Sequence, residues 1–329
     1  MMMILAWKNI WGNKKRSFII LAATAVGLAC GLFSAGVLSG LYEALVQSAI
    51  SRELGHIQIH SVDFVRDQEI SQTLTHVDGI LSILEHTPTV EFVVTHSVIE
   101  GMASSATAAD GVRIIAVEPD AEQKVTSISR RLIEGTYLNG KNSVVIGKKL
   151  ADRLKLKLHG RFVASFSAAD GTIIDGAFRV EGIYQTEAST FDGMNVFIRQ
   201  EDLASLLGTP APIHEIVLRT RSLALVDSTA NMLRVAFPSV EVETWKQLAP
   251  ELKYTADTGA FENTILLGII LFALLFGLTN TLLMSVLDRI HDFGILLAIG
   301  LNRRRLFSMI MVESLFLSFT GGIIGVVVG

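Results

Sequence analysis

This sequence is short of charge and almost without cysteine. Its one cysteine, Cys30, has no second thiol to pair with, so no disulfide framework can form and cysteine usage leaves the compartment open. Only 18% of residues are charged, against roughly 25% in an ordinary soluble domain. The shortage is uneven. No charge occurs between Arg16 and Glu43, none between Glu262 and Asp288, and Glu313 alone interrupts residues 306–329. Catalytic signatures are missing too. The only approach to a G-x-x-x-x-G-K-[ST] phosphate loop is GKNSVVIGKK at 140–149, where the spacing is wrong and no Ser or Thr follows the lysine. There is no H-E-x-x-H, and no serine sits in a glycine-flanked elbow. The expectation is a chain that is not an enzyme, with no catalytic residues, no cofactor and no metal site. His56 and His60 in GHIQIH invite a metal reading. On a strand, however, four residues span roughly 13 Å, so the two rings cannot share one ion. They are expected on a solvated or interface strand face, with Gln58 on the same side.

What is present is apolar. Half the residues are hydrophobic and the mean hydropathy is +0.47. A helix rises about 1.5 Å per residue, so about 20 apolar residues cross a ~30 Å hydrocarbon core. Residues 17–42, 263–287 and 306–329 each reach that length. The first run follows Lys8, Lys14, Lys15 and Arg16 but is too long for a secretory h-region of about 7–15 residues, so it reads as an anchor.

The expected layout is a cytoplasmic segment 1–16, a first transmembrane helix 17–42, a large outer domain 43–262, a second span 263–287, a cytoplasmic segment 288–305 and a third span 306–329. Positive charge near membrane ends stays cytoplasmic. The basic residues outside the large domain are Lys8, Lys14, Lys15, Arg16, Arg289 and Arg303–Arg305, all on the side this layout makes cytoplasmic. The large domain holds 20 Lys/Arg and 29 Asp/Glu, a net charge of −9, which argues against nucleic acid as a partner. Because the sequence stops as the third span is completed, it is expected to be a fragment lacking a fourth span.

Within the outer domain, the first span is expected to continue as helix to about Arg52. Residues 55–60, 91–100, 213–220 and 240–244 alternate as strands, and 76–86 and 222–237 are periodic as helices. Shorter strands lie at 142–147, 161–167 and 178–184. The fold class expected is an α-helical membrane protein with a large extracytoplasmic mixed α/β domain, built of two βαβ-like halves and a mostly β insertion.

Between the last two spans lies DRIHDFGILLAIGLNRRRLF, residues 288–307. On a helix, Ile290, Phe293, Leu297 and Gly300 fall near one side, and Asp288, Arg289, His291 and Asp292 mostly on another. Such a segment can lie on the membrane surface with its arginines on lipid phosphates, or present its apolar face to a partner.

The stretch NTLLMSVLDRIHDFGILLAIGLNRRRLFSMIMVESLFLSFTGGIIGVVVG, 280–329, resembles the core of the FtsX-like permease family. Asn280, Met284, Ser285, Val286, Asp288, Arg289, Asp292, Gly294, Leu296, Ala298 and Gly300 match its pattern without a gap. Residues 144–162 and 178–208 are similar to the periplasmic core domain of the macrolide-exporter and lipoprotein-releasing branches. The resemblance implies the permease subunit of an ABC transporter of the bacterial inner membrane, acting on a lipoprotein or another hydrophobic substrate. ATP hydrolysis would come from a separate ATPase on the cytoplasmic side. It implies further partners: a second permease subunit in a homodimer or heterodimer, membrane lipids, and a periplasmic acceptor protein. Residues 288–300 would then be a coupling helix, with Phe293 as the knob, Asp288, Arg289 and Asp292 as orienting charges, Leu297 on the contact face, and Gly294 and Gly300 giving close approach or a turn. Two alternatives remain at this point: a non-transporting regulator of an extracytoplasmic cell-wall enzyme, and a membrane-anchored sensor.

Small residues four apart let membrane helices approach closely. Gly27 and Gly31, and Gly36 and Gly40, are so placed in the first span, and Gly321, Gly325 and Gly329 in the third. Glu313, a carboxylate inside an apolar run, needs a partner, a proton or a route to the interface.

Overall fold

In a computed structural model the described residues are 14–62, 64 and 69–329, of which 14–17, 256, 257, 260, 282, 285 and 292 are described by backbone alone. The basic Lys8 therefore lies outside the described residues, as does the side chain of Asp292. In chain order the elements are α1 (Lys14–Ala49), a π-helical turn (Ile50–Leu54), β1 (Ile57–His60), α2 (Val77–Glu85), β2 (Val90–Ser104), β3 (Ala109–Val117) and α3 (Pro119–Val125). Then follow β4 (Leu132–Gly135), β5 (Ser143–Gly147), α4 (Lys148–Leu154), β6 (Arg161–Ser167), β7 (Ile173–Tyr184), α5 (Ser189–Met194), β8 (Asn195–Arg199) and α6 (Gln200–Leu207). The chain continues through β9 (Glu215–Thr220), α7 (Val226–Ala236), β10 (Glu241–Thr244), α8 (Trp245–Leu248), α9 (Pro250–Leu287), α10 (Ile290–Ala298) and α11 (Arg303–Val328). Two units emerge: a helical one, made of the described residues up to Ala44 and Tyr254–Gly329, and a sheet one, Leu45–Lys253.

Among the described residues three helices are long and apolar enough to cross a membrane, within Phe18–Leu54, Phe261–Thr281 and Arg303–Val328. At 36 and 38 residues, α1 and α9 are each more than ~50 Å long, well beyond a ~30 Å core. The outward surfaces of α1, α9 and α11 carry bare Phe18, Phe33, Phe272, Leu275, Phe276 and Phe319, a cost in water and none in lipid. Hydroxyls in these helices bond back one turn, Thr24 to Ile20 O at 2.8 Å, Thr279 to Leu275 O at 2.8 Å and Thr320 to Phe316 O at 2.7 Å, so they need no water.

Small residues set the contacts of α1. A Cβ on Gly27 would stand 2.6 Å from Leu274 Cδ1 of α9, and one on Gly31 3.1 Å from Ile270 Cγ2. On the α11 side, a Cβ on Gly321 would stand 2.9 Å from Thr24 Cβ, and one on Gly325 2.8 Å from the Ala25 carbonyl oxygen. Gly36 and Gly40, expected to behave alike, face open space. Asn263 Nδ2 of α9 donates to Ser39 Oγ at 2.9 Å and to Ala35 O at 3.2 Å, and Tyr42 OH donates to Glu262 at 2.9 Å. Contacts from α1 descend along α9 (Gly27 with Leu274, Ser39 with Asn263) and ascend along α11 (Thr24 with Gly321, Ala29 with Gly329). Helix α9 is therefore antiparallel to α1 and α11 parallel to it. The starts of α1 and α11, both basic, lie at the same end of the helical unit.

The sheet unit has ten strands in the order β10-β1-β9-β2-β3-β8-β5-β7-β4, with β6 joining β2 to β7. The two halves expected from the sequence do not stand side by side. They interleave, β9 entering between β1 and β2, so β10-β1-β9-β2 is antiparallel throughout. The β insertion is a closed barrel. Residues Gly101–Ser104 of β2 pair with β3 on one side and β6 on the other, and β3-β8, β8-β5, β5-β7 and β7-β6 complete the ring. Closure leaves these six strands no free edge. Alternation supplies the filling: Phe162, Ala164 and Phe166 of β6 turn inward onto Phe178, Val180, Ile114, Ile146, Val196 and Ile198. A second cluster of Ile115, Val145, Phe197, Tyr184 and Phe191 packs on the outside of the barrel wall.

The histidines of β1 correct the sequence expectation. His56, Gln58 and His60 are buried, because both faces of β1, a strand paired with β10 and β9, are covered. His56 Nδ1 accepts from the Thr220 amide at 3.0 Å, and His60 Nε2 lies 3.1 Å from Glu243. The helix of the first span continues past Arg52 as expected, as α-helix to Ala49 and then as a π turn to Leu54.

Candidate functional site

In the helical unit, α9 stops at Leu287, Asp288 and Arg289 form a turn, and α10 begins at Ile290. Its other end is closed by two backbone bonds, Gly300 N to Leu297 O at 3.1 Å and Leu301 N to Leu296 O at 3.0 Å. This is a Schellman cap, and it requires the left-handed φ of 101° that Gly300 adopts. Asn302 then caps α11 by accepting from Arg304 N at 3.1 Å. A helix of nine residues is thus set between two lipid-length helices with a defined stop at each end.

Arg289 Nη1 lies 3.6 Å from Glu313 Oε1, with side-chain exposures of 17% and 6%. The acid within the apolar run of α11 therefore has a cation from the start of α10, and Arg289 is partly turned towards α11. Phe293 does not fit the role of a free knob. The chain itself buries it to 8% exposure, and a ring already packed cannot enter a partner's pocket. The apolar side chains left open on α10 are Ile290, Ile295, Leu296 and Leu297, with Ile299 next to its end. Asp288 is exposed, and Gly294 and Gly300 have no heavy atom near a would-be Cβ, so Gly294 presents bare backbone and Gly300 serves the turn.

The sheet unit contains a charged cluster drawn from positions far apart in the sequence. His96 of β2 lies 2.7 Å from Glu122 of α3 through Nε2 and 3.7 Å from Glu215 of β9 through Nδ1. Arg113 of β3 reaches Glu215 at 3.2 Å with one terminal nitrogen and Glu53 of the π turn at 3.3 Å with the other. His96, Glu122 and Glu215 are buried. Burial alone would lower the His96 imidazole, but Glu122, by charge and hydrogen bond, and Glu215 outweigh it and lift it to about 10. Burial raises Glu53 against the pull of Arg113, whereas Glu215, also pushed up by burial, is brought below its usual value by His96 and Arg113. The cluster lines a cavity of about 290 Å³ with Arg52, Gln58, Phe197 and Leu252. The signal available in the sequence was a charge inside an apolar strand, His96 in VVTHSVI and Glu215 in IHEIVL. Nothing local says that residues 53, 96, 113, 122 and 215 converge. Among the described residues no group of three or more His, Cys, Asp or Glu could hold a metal ion.

Comparison with known proteins gives two family matches. The family model for the MacB-like periplasmic core domain matches residues 17–236, and that for the FtsX-like permease C-terminal matches residues 264–329. The chain is 27% identical over 208 residues to an uncharacterized ABC transporter permease of Methanocaldococcus jannaschii, covering 60% of this chain and 50% of that one. It is 27% identical over 139 residues to the macrolide export ATP-binding/permease protein MacB of Wolinella succinogenes, covering 41% of this chain and 19% of that one. The alignments thus span half or less of these relatives. Among solved structures it is similar to the extracellular domain of the noncanonic ABC-type transporter YknZ from Gram-positive bacteria (TM-score 0.40, 16% identity, 57% of this chain and 99% of that one). It is also similar to the periplasmic region of MacB from Actinobacillus actinomycetemcomitans (TM-score 0.43, 10% identity, 61% and 94%).

Proposed function

This chain belongs to the family defined by a MacB-like periplasmic core domain and an FtsX-like permease C-terminal region, and from that premise we propose that it is the permease subunit of an ABC transporter. Its role in this reading is mechanical. An ATPase grips the cytoplasmic face of the helical unit, and its ATP-driven movement is carried to the extracytoplasmic sheet unit. The observation that supports this most is α10, a short helix with a Schellman stop at its C-terminal end and apolar side chains facing out, seated between two spans.

The coupling face shifts accordingly. Ile290 and Leu297 supply apolar contact, Gly294 allows close approach, Asp288 and Asp292 orient the partner, and Gly300 ends the helix. Phe293 anchors α10 within its own chain, and Arg289 acts through Glu313 as well as towards the partner. The membrane is the bacterial cytoplasmic membrane, and the working assembly pairs two permease subunits. The substrate class, a lipoprotein or another hydrophobic molecule handed to a periplasmic acceptor, is supported by the likeness to the exporter and lipoprotein-releasing branches.

The test is co-purification of the full chain with its ATPase from native membranes. Ile290→Asp or Leu297→Asp should weaken ATPase retention by about 30-fold, the loss of one interface hot spot of roughly 2 kcal/mol, while membrane insertion is unchanged. Full retention with both aspartates present would place the coupling surface elsewhere. An ATPase that stays bound while no substrate co-elutes, and a cell-wall enzyme does, would identify a regulator instead.

A further inference from the structure

The π turn Ile50–Leu54 follows α1 directly and belongs to the sheet unit. A π turn widens the helix by one residue and gives up good hydrogen-bond geometry, so it persists only where its surroundings hold it. Here they hold it from several sides. The Ser127 amide donates to Ser51 O at 2.6 Å, and the Arg52 guanidinium lies 5.0 Å from the centre of the Phe191 ring. Ser48 Oγ donates to Glu187 at 2.9 Å, and Glu187 is in turn paired with Arg131. Gly55 closes the turn at φ 59°, packed so tightly on Val217 and Leu218 that no Cβ fits there.

One of these contacts differs from the rest. Arg113 is the side chain from the strands that meets the carboxylate of Glu53, and the same guanidinium also holds Glu215. If Glu53 leaves, Arg113 keeps a buried carboxylate partner and no cation is stranded. The cavity of about 290 Å³ lies against this contact and is lined by Arg52, Glu53 and Leu54 of the turn itself, so the turn has room to shift. Arg52 Nε and Arg113 Nε are buried without a hydrogen-bond acceptor, which leaves the joint short of full satisfaction and free to re-pair.

We propose that Arg113 is a releasable latch. It clamps the turn after α1 to the sheet through Glu53, and it falls back on Glu215 when the turn is freed. Arg113 is thus a positioning residue, acting on the outward end of the first long helix. The latch rests on the geometry of the sheet unit alone and stands whether or not an ATPase drives it.

The test uses the full chain in lipid nanodiscs with Cys30→Ala, so that an introduced cysteine is the only thiol. Maleimide labelling at Leu54→Cys reports opening of the turn, and Ile59→Cys, in the fully buried centre of β1, reports the integrity of the sheet. Glu53→Gln keeps the shape and removes the charge. It should raise labelling at Leu54→Cys by about tenfold, the factor expected when a charge-assisted hydrogen bond stops holding a local opening closed, with Ile59→Cys still protected. Arg113→Met should do the same. Glu215→Gln should leave labelling at Leu54→Cys at the parent rate, because Arg113 then has Glu53 alone. Unchanged labelling in Glu53→Gln, or equal opening in Glu53→Gln and Glu215→Gln, would overturn the latch. Should Arg113→Met expose Ile59→Cys as well, the sheet has come apart in that variant, and the two glutamine variants decide the matter.

Discussion

His96 shows how much a single buried side chain can weigh when its partners are fixed. With Glu122 at 2.7 Å and Glu215 at 3.7 Å, its imidazolium is the charge that makes two buried carboxylates tolerable. Its folded value of about 10 lies above the ordinary 6.5, so the stability it contributes is complete below pH 6.5 and is lost as pH rises through about 10. Thermal unfolding of the sheet unit in the intact protein should therefore move to lower temperature between pH 7 and 10. In His96→Gln that decline should flatten, on a baseline lowered by about 3 kcal/mol because Glu122 is left buried without its cation. A slope that survived the substitution would assign the alkaline loss to another group.

Helices show a different control, exercised by the absence of side chains. Along α11, Gly321, Gly325 and Gly329 present bare backbone to Thr24, Ala25 and Ala29 of α1, while Val327 is 80% exposed on the other side. Without a hydrophobic drive between helices in lipid, such close approach is what association rests on. Gly325→Leu should therefore reduce the yield of correctly assembled, protease-resistant protein several-fold, whereas Val327→Leu should leave it near the parent level, and protease protection of membrane vesicles compares the two directly. Equal yields would remove α11 from the packing of α1. The first turn of α11 makes a complementary point. Arg303, Arg304 and Arg305 stand at the helix N-terminus, where the dipole disfavours cations. Their position makes sense as a membrane-side signal, since it is unfavourable for the helix itself.

At the scale of the whole molecule, two independent observations support the proposed sidedness. Basic residues cluster at the start of α1 and the start of α11, and the contacts of the helical unit place those two starts at one end, with α9 running the other way. A reporter fused after residue 150 should read as extracytoplasmic and one fused after Asn302 as cytoplasmic, scored by paired alkaline phosphatase and fluorescent protein fusions. A cytoplasmic signal from the residue 150 fusion would invert the arrangement and with it the coupling role of α10.

The sequence by itself determined the three apolar helices, the basic clusters beside them, the strands and helices of the α/β region, and the short amphipathic segment 288–300. These are one-dimensional properties: the length of a run without charge, a period of two or of 3.6, a cluster of arginines beside a span. Tertiary structure alone decided which surfaces those elements use. It closed six strands into a barrel by pairing β2 on both sides, buried His56 and His60 by covering both faces of β1, and buried Phe293 while leaving Ile290 and Leu297 open. It also matched Glu313 to Arg289 and brought Glu53, His96, Arg113, Glu122 and Glu215 to one cavity. A side chain's burial and its partner depend on groups tens to hundreds of positions away, and no local period carries that information.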